Sequence, residues 1–124
     1  MKYLCLVYGE EQALANMPDA HCVAYDDEIR RSGHCVASEA LQPASTATTV
    51  RVRNGKVAVT DGPFAETKEF LAGFYMIEAR DLNEAIQLAA RIPPAAVGSI
   101  EVRPIRPIRE TVRAQQLGET HGIR

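Results

Sequence analysis

The densest run of chemically capable side chains is Asp61-Gly-Pro-Phe-Ala-Glu-Thr-Lys-Glu69. Asp61, Glu66 and Lys68 together are the ingredients of an acid–base site. A lysine among carboxylates in a pocket shifts the protonation of both, and such groups take up and return protons during catalysis. In that reading Asp61 is the base and Lys68 steadies an anionic substrate or intermediate. The same residues also have a structural reading. Asp binds its own backbone, Gly permits unusual φ and Pro fixes φ, so Asp61-Gly-Pro is turn chemistry. Phe64 would then plug the core. Both readings stand on sequence alone.

Four further residues are candidates for holding a ligand: Tyr8, Glu39, Glu66 and Arg91. Glu39 ends a strand and can point into the same cavity as the loop. Arg91 closes a helix, where its charge suits the negative dipole end and where it could receive an anion. Tyr8 and Tyr75 either pack in the core or bring a hydroxyl to a pocket mouth. The pairs His21-Cys22 and His34-Cys35 offer soft ligands of the kind zinc takes. Neighbours on a helix point about 100° apart, however, and neighbours on a strand point to opposite faces. Neither pair suits one ion, so no metal is expected, and no cofactor either. Ser38, Ser45 and Thr46 have no base motif beside them to activate a nucleophile.

These residues need elements to position them. Tyr3 to Tyr8 reads as a strand that is apolar on both sides. The stretch from Asn16 to Gly33 reads as a helix, with Asn16 as cap, Pro18 in the first turn and Gly33 as stop. Cys22, Tyr25 and Ile29 form its apolar stripe. A strand follows from His34 to Ala40. Thr48 to Arg53 and Lys56 to Thr60 flank Asn54-Gly55, the strongest short-range hairpin signal, with Val50, Val52, Val57 and Val59 on the inward side. Phe70 to Ala79 is a long strand, again apolar on both sides. Asp81 and Glu84 form a capping box, with Glu84 reaching back to the cap amide. They open a helix to about Arg91, with Leu82, Ala85, Ile86 and Ala89 facing the sheet. Ser99 to Arg103 is a last strand, and a short helix is expected around Glu110 to Gln116.

The order β-α-β, hairpin, β-α-β predicts an α+β fold: a ferredoxin-like antiparallel sheet with an inserted β-hairpin and two helices on one face. Residues 1–105 form the domain and 106–124 a C-terminal extension. Two helices leave one sheet face bare, and its Tyr, Phe, Leu and Met side chains form a patch that monomers rarely tolerate. A homodimer packed about a two-fold axis is expected to cover it; the alternative is that the hairpin or the C-terminal tail folds over that face.

Composition narrows the function classes. The 124 residues carry 14 basic and 16 acidic side chains. That balance argues against a nucleic-acid surface or a polybasic membrane patch. No apolar run is long enough to span a bilayer, and the first residues read as a strand and not as a signal peptide. A cytoplasmic protein is expected. Its three cysteines, Cys5, Cys22 and Cys35, suit free thiols better than a disulfide framework.

Several pieces of the chain together resemble the DGPF branch of the YCII-related proteins. They are Met1-Lys-Tyr3, Glu39-Ala-Leu-Gln-Pro43, Ser45 to Arg53, Asp61 to Glu69, Gly73-Phe-Tyr75, Ala90-Arg-Ile-Pro93 and Glu101-Val-Arg-Pro104. The resemblance implies a dimeric α/β barrel. In the wider group it also implies a His–Asp pair, with the Asp just before a Pro at the end of the second helix. Here that place reads Arg91-Ile-Pro93, and His21 is out of step with the first-helix position, so the pair is not carried over. One relative is similar to a dehydrochlorinase of aromatic degradation, which implies that the fold can host acid–base chemistry. Others occur with extracytoplasmic-function sigma factors. Two functions are therefore expected: a dimer binding a small polar or aromatic ligand, as a cofactor-free lyase or isomerase, or a non-catalytic regulatory module partnering a sigma factor.

Overall fold

The computed structural model describes residues 1–118. Strand β1 (Lys2–Gly9) is followed by a short helix α1 (Glu11–Ala15), helix α2 (Asp19–Arg31) and strand β2 (Cys35–Ala40). A hairpin of β3 (Thr48–Arg53) and β4 (Lys56–Asp61) follows. Then come β5 (Phe70–Glu78), α3 (Leu82–Ala90), β6 (Ser99–Pro104) and α4 (Ile108–Gln116). The main sheet has the order β2-β5-β1-β6, and each neighbouring pair is antiparallel. This is the expected ferredoxin-like arrangement. The hairpin is a separate two-stranded sheet.

Alternation along β1 and β5 sorts the core. Tyr3, Cys5, Val7 and Ile77 are buried, and Tyr25 and Ile29 of α2 and Ala85, Leu88 and Ala89 of α3 join them. Leu4, Leu6, Tyr8, Phe74 and Met76 alternate with the buried set and stay half-buried. The helices therefore cover one face, while the other face keeps its apolar side chains partly open.

Three local expectations are corrected. The first helical stretch is two helices: Asn16 ends α1 as its C-cap, and Pro18 holds the extended N-cap position of α2. Proline disfavours helical backbone in the residue before it, so the chain breaks there. In α3 the buried residues are Ala85, Leu88 and Ala89, while Leu82 and Ile86 are about half exposed, at 51% and 49%. Third, Glu84 reaches one residue further than a standard box. Asp81 Oδ1 accepts from the Glu84 amide at 2.9 Å, and Glu84 Oε1 accepts from the Arg80 amide at 2.9 Å.

The hairpin takes the expected turn, with positive φ of 52° at Asn54 and 75° at Gly55. Its valines do not face inward within this chain. Val50, Val52, Val57 and Val59 are 56–68% exposed, because the ribbon leaves the main sheet and pairs with none of its strands. Helix α4 likewise shows Ile108 and Val112 to solvent. Residues 119–124 of the expected extension lie outside the described residues. Among the described residues, no helix is long and apolar enough to cross a membrane.

Candidate functional site

A cavity of about 550 Å³ opens where α1, the start of α2, the end of β2 and the start of β5 meet. Its walls are mainly apolar, from Leu14, Val23, Leu41, Phe70, Leu71 and Phe74. Gly73 shapes this corner. A Cβ there would lie 2.8 Å from the Glu39 carbonyl and 3.3 Å from Ala40 Cα. Only a glycine lets β2 approach β5 so closely at this point.

One wall is polar, and it joins a helix to a strand. Asp26 of α2 and Ser38 of β2 both line the cavity. The Ser38 hydroxyl donates to Asp26 Oδ1 in a short hydrogen bond. Arg30, one turn on from Asp26, donates through Nε to Asp26 Oδ2 at 2.8 Å and through Nη2 to Ser38 Oγ at 2.8 Å. The spacing of four residues places Asp26 and Arg30 on one helix face. Burial acts to raise the Asp26 pKa, but the hydrogen bonds from Ser38 and Arg30 and the Arg30 charge outweigh it, and the net shift is downward. Asp26 is therefore ionised at neutral pH.

Tyr75 stands beside this group. It pairs with Ser38 across the β2–β5 ladder and lines the cavity. Burial, then Cys22, Asp26, Tyr25 and Cys35, push its pKa up to about 12. Its ring meets Tyr25 edge to face, 5.7 Å between centroids, and Tyr25 in turn donates to the Leu88 carbonyl at 2.6 Å. The Tyr75 hydroxyl keeps its proton and has no hydrogen-bond partner among the described residues. An ionised carboxylate, an unengaged phenol and an apolar chamber are together able to orient a small molecule and move a proton on it.

Of the residues singled out in the sequence, Glu39 lines this cavity, and Tyr75, weighed there between core and pocket, lines it too. Tyr8 lies among the half-buried side chains of the open sheet face. Arg91 lies over Tyr25, 5.6 Å from its ring centroid, and is ion-paired with Glu28. Asp61, Glu66 and Lys68 are exposed. Lys68 approaches Glu10 at 3.9 Å, near the cavity rim. The turn at Asp61 is anchored through Gly62, whose amide donates to the Ala47 carbonyl at 2.7 Å and whose carbonyl accepts from Thr49 at 2.8 Å. Phe64 is 78% exposed and plugs no core within this chain. His21 is also exposed.

Asp26 and Arg30 escaped the sequence reading, and Ser38 entered it only as a serine with no base motif beside it. Asp26 is one acidic residue in Asp26-Asp-Glu28, a run that reads as a solvated helix face. Nothing local links it to a serine on another element. The spacing of Asp26 and Arg30 was the one available signal.

Comparison with known proteins agrees with this fold. The YCII-related domain matches residues 1–109. The chain belongs to the YCII-related domain family. An uncharacterized protein of Rhizobium meliloti (strain 1021) is 48% identical over 67 residues, covering 52% of this chain and 54% of that protein. The chain thus spans about half the length of the curated relative it matches. Among solved structures, a 5-chloro-2-hydroxyhydroquinone dehydrochlorinase from Burkholderia phenoliruptrix AC1100, in complex with 2,5-dihydroxybenzoquinone, is similar with a TM-score of 0.53. That likeness covers 86% of this chain and 94% of the dehydrochlorinase at 14% identity, so what the two share is the fold.

Proposed function

We propose that this YCII-related protein binds a small molecule in the cavity beside Asp26 and Tyr75, as a lyase or isomerase that needs no cofactor. The observation that carries this reading is the Asp26–Ser38–Arg30 network set into the wall of an otherwise apolar chamber. A carboxylate held ionised is available as a base at neutral pH. Its lowered pKa makes it a weak one, so it suits a proton already acidified by a neighbouring carbonyl or aromatic system. In an elimination, Asp26 takes that proton and the freed electron pair forms a new π bond. The leaving group departs from the adjacent carbon with its own electron pair, hydrogen-bonded by the Tyr75 phenol. The fold likeness to a dehydrochlorinase is consistent with such a reaction class.

The protein is proposed to act as a homodimer. A two-stranded ribbon is marginal alone in water, and this ribbon's valines, like the half-open face of the main sheet, need a covering surface. A second copy supplies both. Asp61, Glu66 and Lys68 enter the site in this reading only as contributions from a partner copy. A sigma-factor module would instead need an apolar face left free once the dimer has formed.

A thermal-shift and calorimetric screen of small hydroxylated aromatics tests the site. A hit weakened tenfold or more by Asp26→Asn and by Tyr75→Phe, and kept by Asp61→Asn, supports it. A hit lost only with Asp61→Asn moves the site to the loop. No hit in the cavity leaves the interaction module as the better reading.

A further inference from the structure

Helix α4 turns its apolar side outward. It buries no residue in its own chain. Ile108 and Val112, one turn apart, are 54% and 42% exposed, while the half-buried positions of the helix are Thr111 and Ala114. Arg109 and Arg113, also one turn apart, flank the aliphatic pair, and all four border one shallow depression. Resting on the homodimer reading above, we propose that α4 docks on the open sheet face of a second copy, with its arginines set against the Glu39 and Glu101 carboxylates.

That face has the matching pattern. Glu39 pairs with Phe74, Phe74 with Leu6 and Leu6 with Glu101. Directly opposed residues share a face, so the four form one row across the sheet, apolar in the middle and acidic at both ends. The two carboxylates stand three strand spacings, about 14 Å, apart. A helix with its side chains is about 10–12 Å across, so α4 fits between them with Ile108 and Val112 over Phe74 and Leu6. Either direction of the helix brings Arg109 and Arg113 beside one of the carboxylates. The next row is Ala37, Met76, Leu4 and Arg103, and like charge keeps the helix arginines off it. Arg30 offsets part of the Glu39 charge, but Glu39, Glu101, Arg109 and Arg113 make no salt bridge among the described residues.

Other partners fit less well. From Arg103 to Arg113 the chain carries four arginines and one carboxylate, Glu110. Two α4 helices set stripe to stripe would crowd four arginines together, with Glu110 on the far side of each helix. Two aliphatic side chains offer little to a lipid surface, where binding scales with buried apolar area. The docked row also reaches the site. Glu39 and Phe74 line the cavity, so the helix of the second copy becomes part of its wall.

Sedimentation equilibrium of the full chain tests the contact by charge exchange. Arg109→Glu/Arg113→Glu should weaken self-association roughly tenfold or more, because the two-fold axis repeats each lost contact. Adding Glu39→Arg/Glu101→Arg to it should restore the dimer. The urea midpoint of the first variant should match wild type, since α4 buries no residue. Val112→Cys and Leu6→Cys, made as separately tagged chains and mixed under mild oxidation, should give a disulfide-linked heterodimer that neither forms with wild type. A wild-type dimer that charge reversal leaves unchanged, or a mixture that does not cross-link, overturns the α4 contact and leaves the homodimer standing. Weakening that the exchange fails to restore overturns the Glu39–Glu101 row as the docking place. Binding to phosphatidylglycerol vesicles that needs Arg109 and Arg113, with self-association unchanged by their reversal, gives the stripe to a lipid surface and overturns the contact too. A wild-type monomer at micromolar concentration overturns both readings.

Discussion

Ser38 donates its hydroxyl hydrogen to Asp26, tying the middle of β2 to the second half of α2 across twelve residues of chain. The bond holds a helix against a sheet edge and lowers the pKa of a carboxylate at the cavity wall. Removing the hydroxyl should therefore be visible as a titration. In Ser38→Ala the Asp26 pKa should rise toward the ordinary aspartate value, read from carboxyl carbon NMR shifts. Unchanged titration would show that Arg30 alone sets it.

The same group shapes acid stability. The hydrogen bonds from Ser38 and Arg30 hold the native Asp26 pKa below the ordinary aspartate value, so its ionised form stabilises the fold. That contribution is fully present above the unfolded pKa and is lost as pH falls through the native one. The stability gap between wild type and Asp26→Asn, measured by urea unfolding, should be constant near neutrality and shrink as the pH drops below about 4. A gap that widens on acidification would contradict the assignment.

At Gly73 the backbone itself is the constraint. A methyl group there would press on the Glu39 carbonyl at 2.8 Å. Gly73→Ala should cost about 1–3 kcal/mol through the forced shift of β2, measured by denaturant unfolding. Because β2 also carries Ser38, the Asp26 titration should move with it.

Tyr25 links the two principal helices, with its hydroxyl 2.6 Å from the Leu88 carbonyl and its ring in the core. Tyr25→Phe keeps the ring and leaves that carbonyl with only the longer bond from the Arg91 amide, at 3.2 Å. The expected loss is about 1–2 kcal/mol, seen as a lower urea midpoint with an unchanged slope.

Self-association should depend on the valine ribbon. Val52 and Val57 are direct cross-strand partners, both more than half exposed. Light scattering should report a homodimer for the wild type at micromolar concentration and a monomer for Val52→Lys/Val57→Lys. The double variant should stay folded, because neither side chain is buried in its own chain. A wild-type monomer, or an undisturbed dimer of the variant, would remove the ribbon from the interface.

Much of this protein is determined locally. The alternation of Tyr3, Cys5 and Val7 with Leu4, Leu6 and Tyr8 specifies a strand, and the order of such elements specifies the ferredoxin-like sheet. Asn54-Gly55 fixes its own turn because few other residues tolerate positive φ. The block from Asp61 to Glu69 marks the family. Each signal acts over a few residues, so a linear reading can recover it.

The cavity is different in kind. Asp26 and Ser38 belong to separate elements and meet only when α2 docks on the sheet. The residues that line the cavity come from α1, α2, β2 and β5. Conversely, Asp61, Glu66 and Lys68 are neighbours in sequence, but their loop extends from the body of the chain and stays exposed. Proximity in sequence sets turns and caps. Which side chains share a chamber was decided by helix-on-sheet packing and by a glycine that lets β2 close against β5.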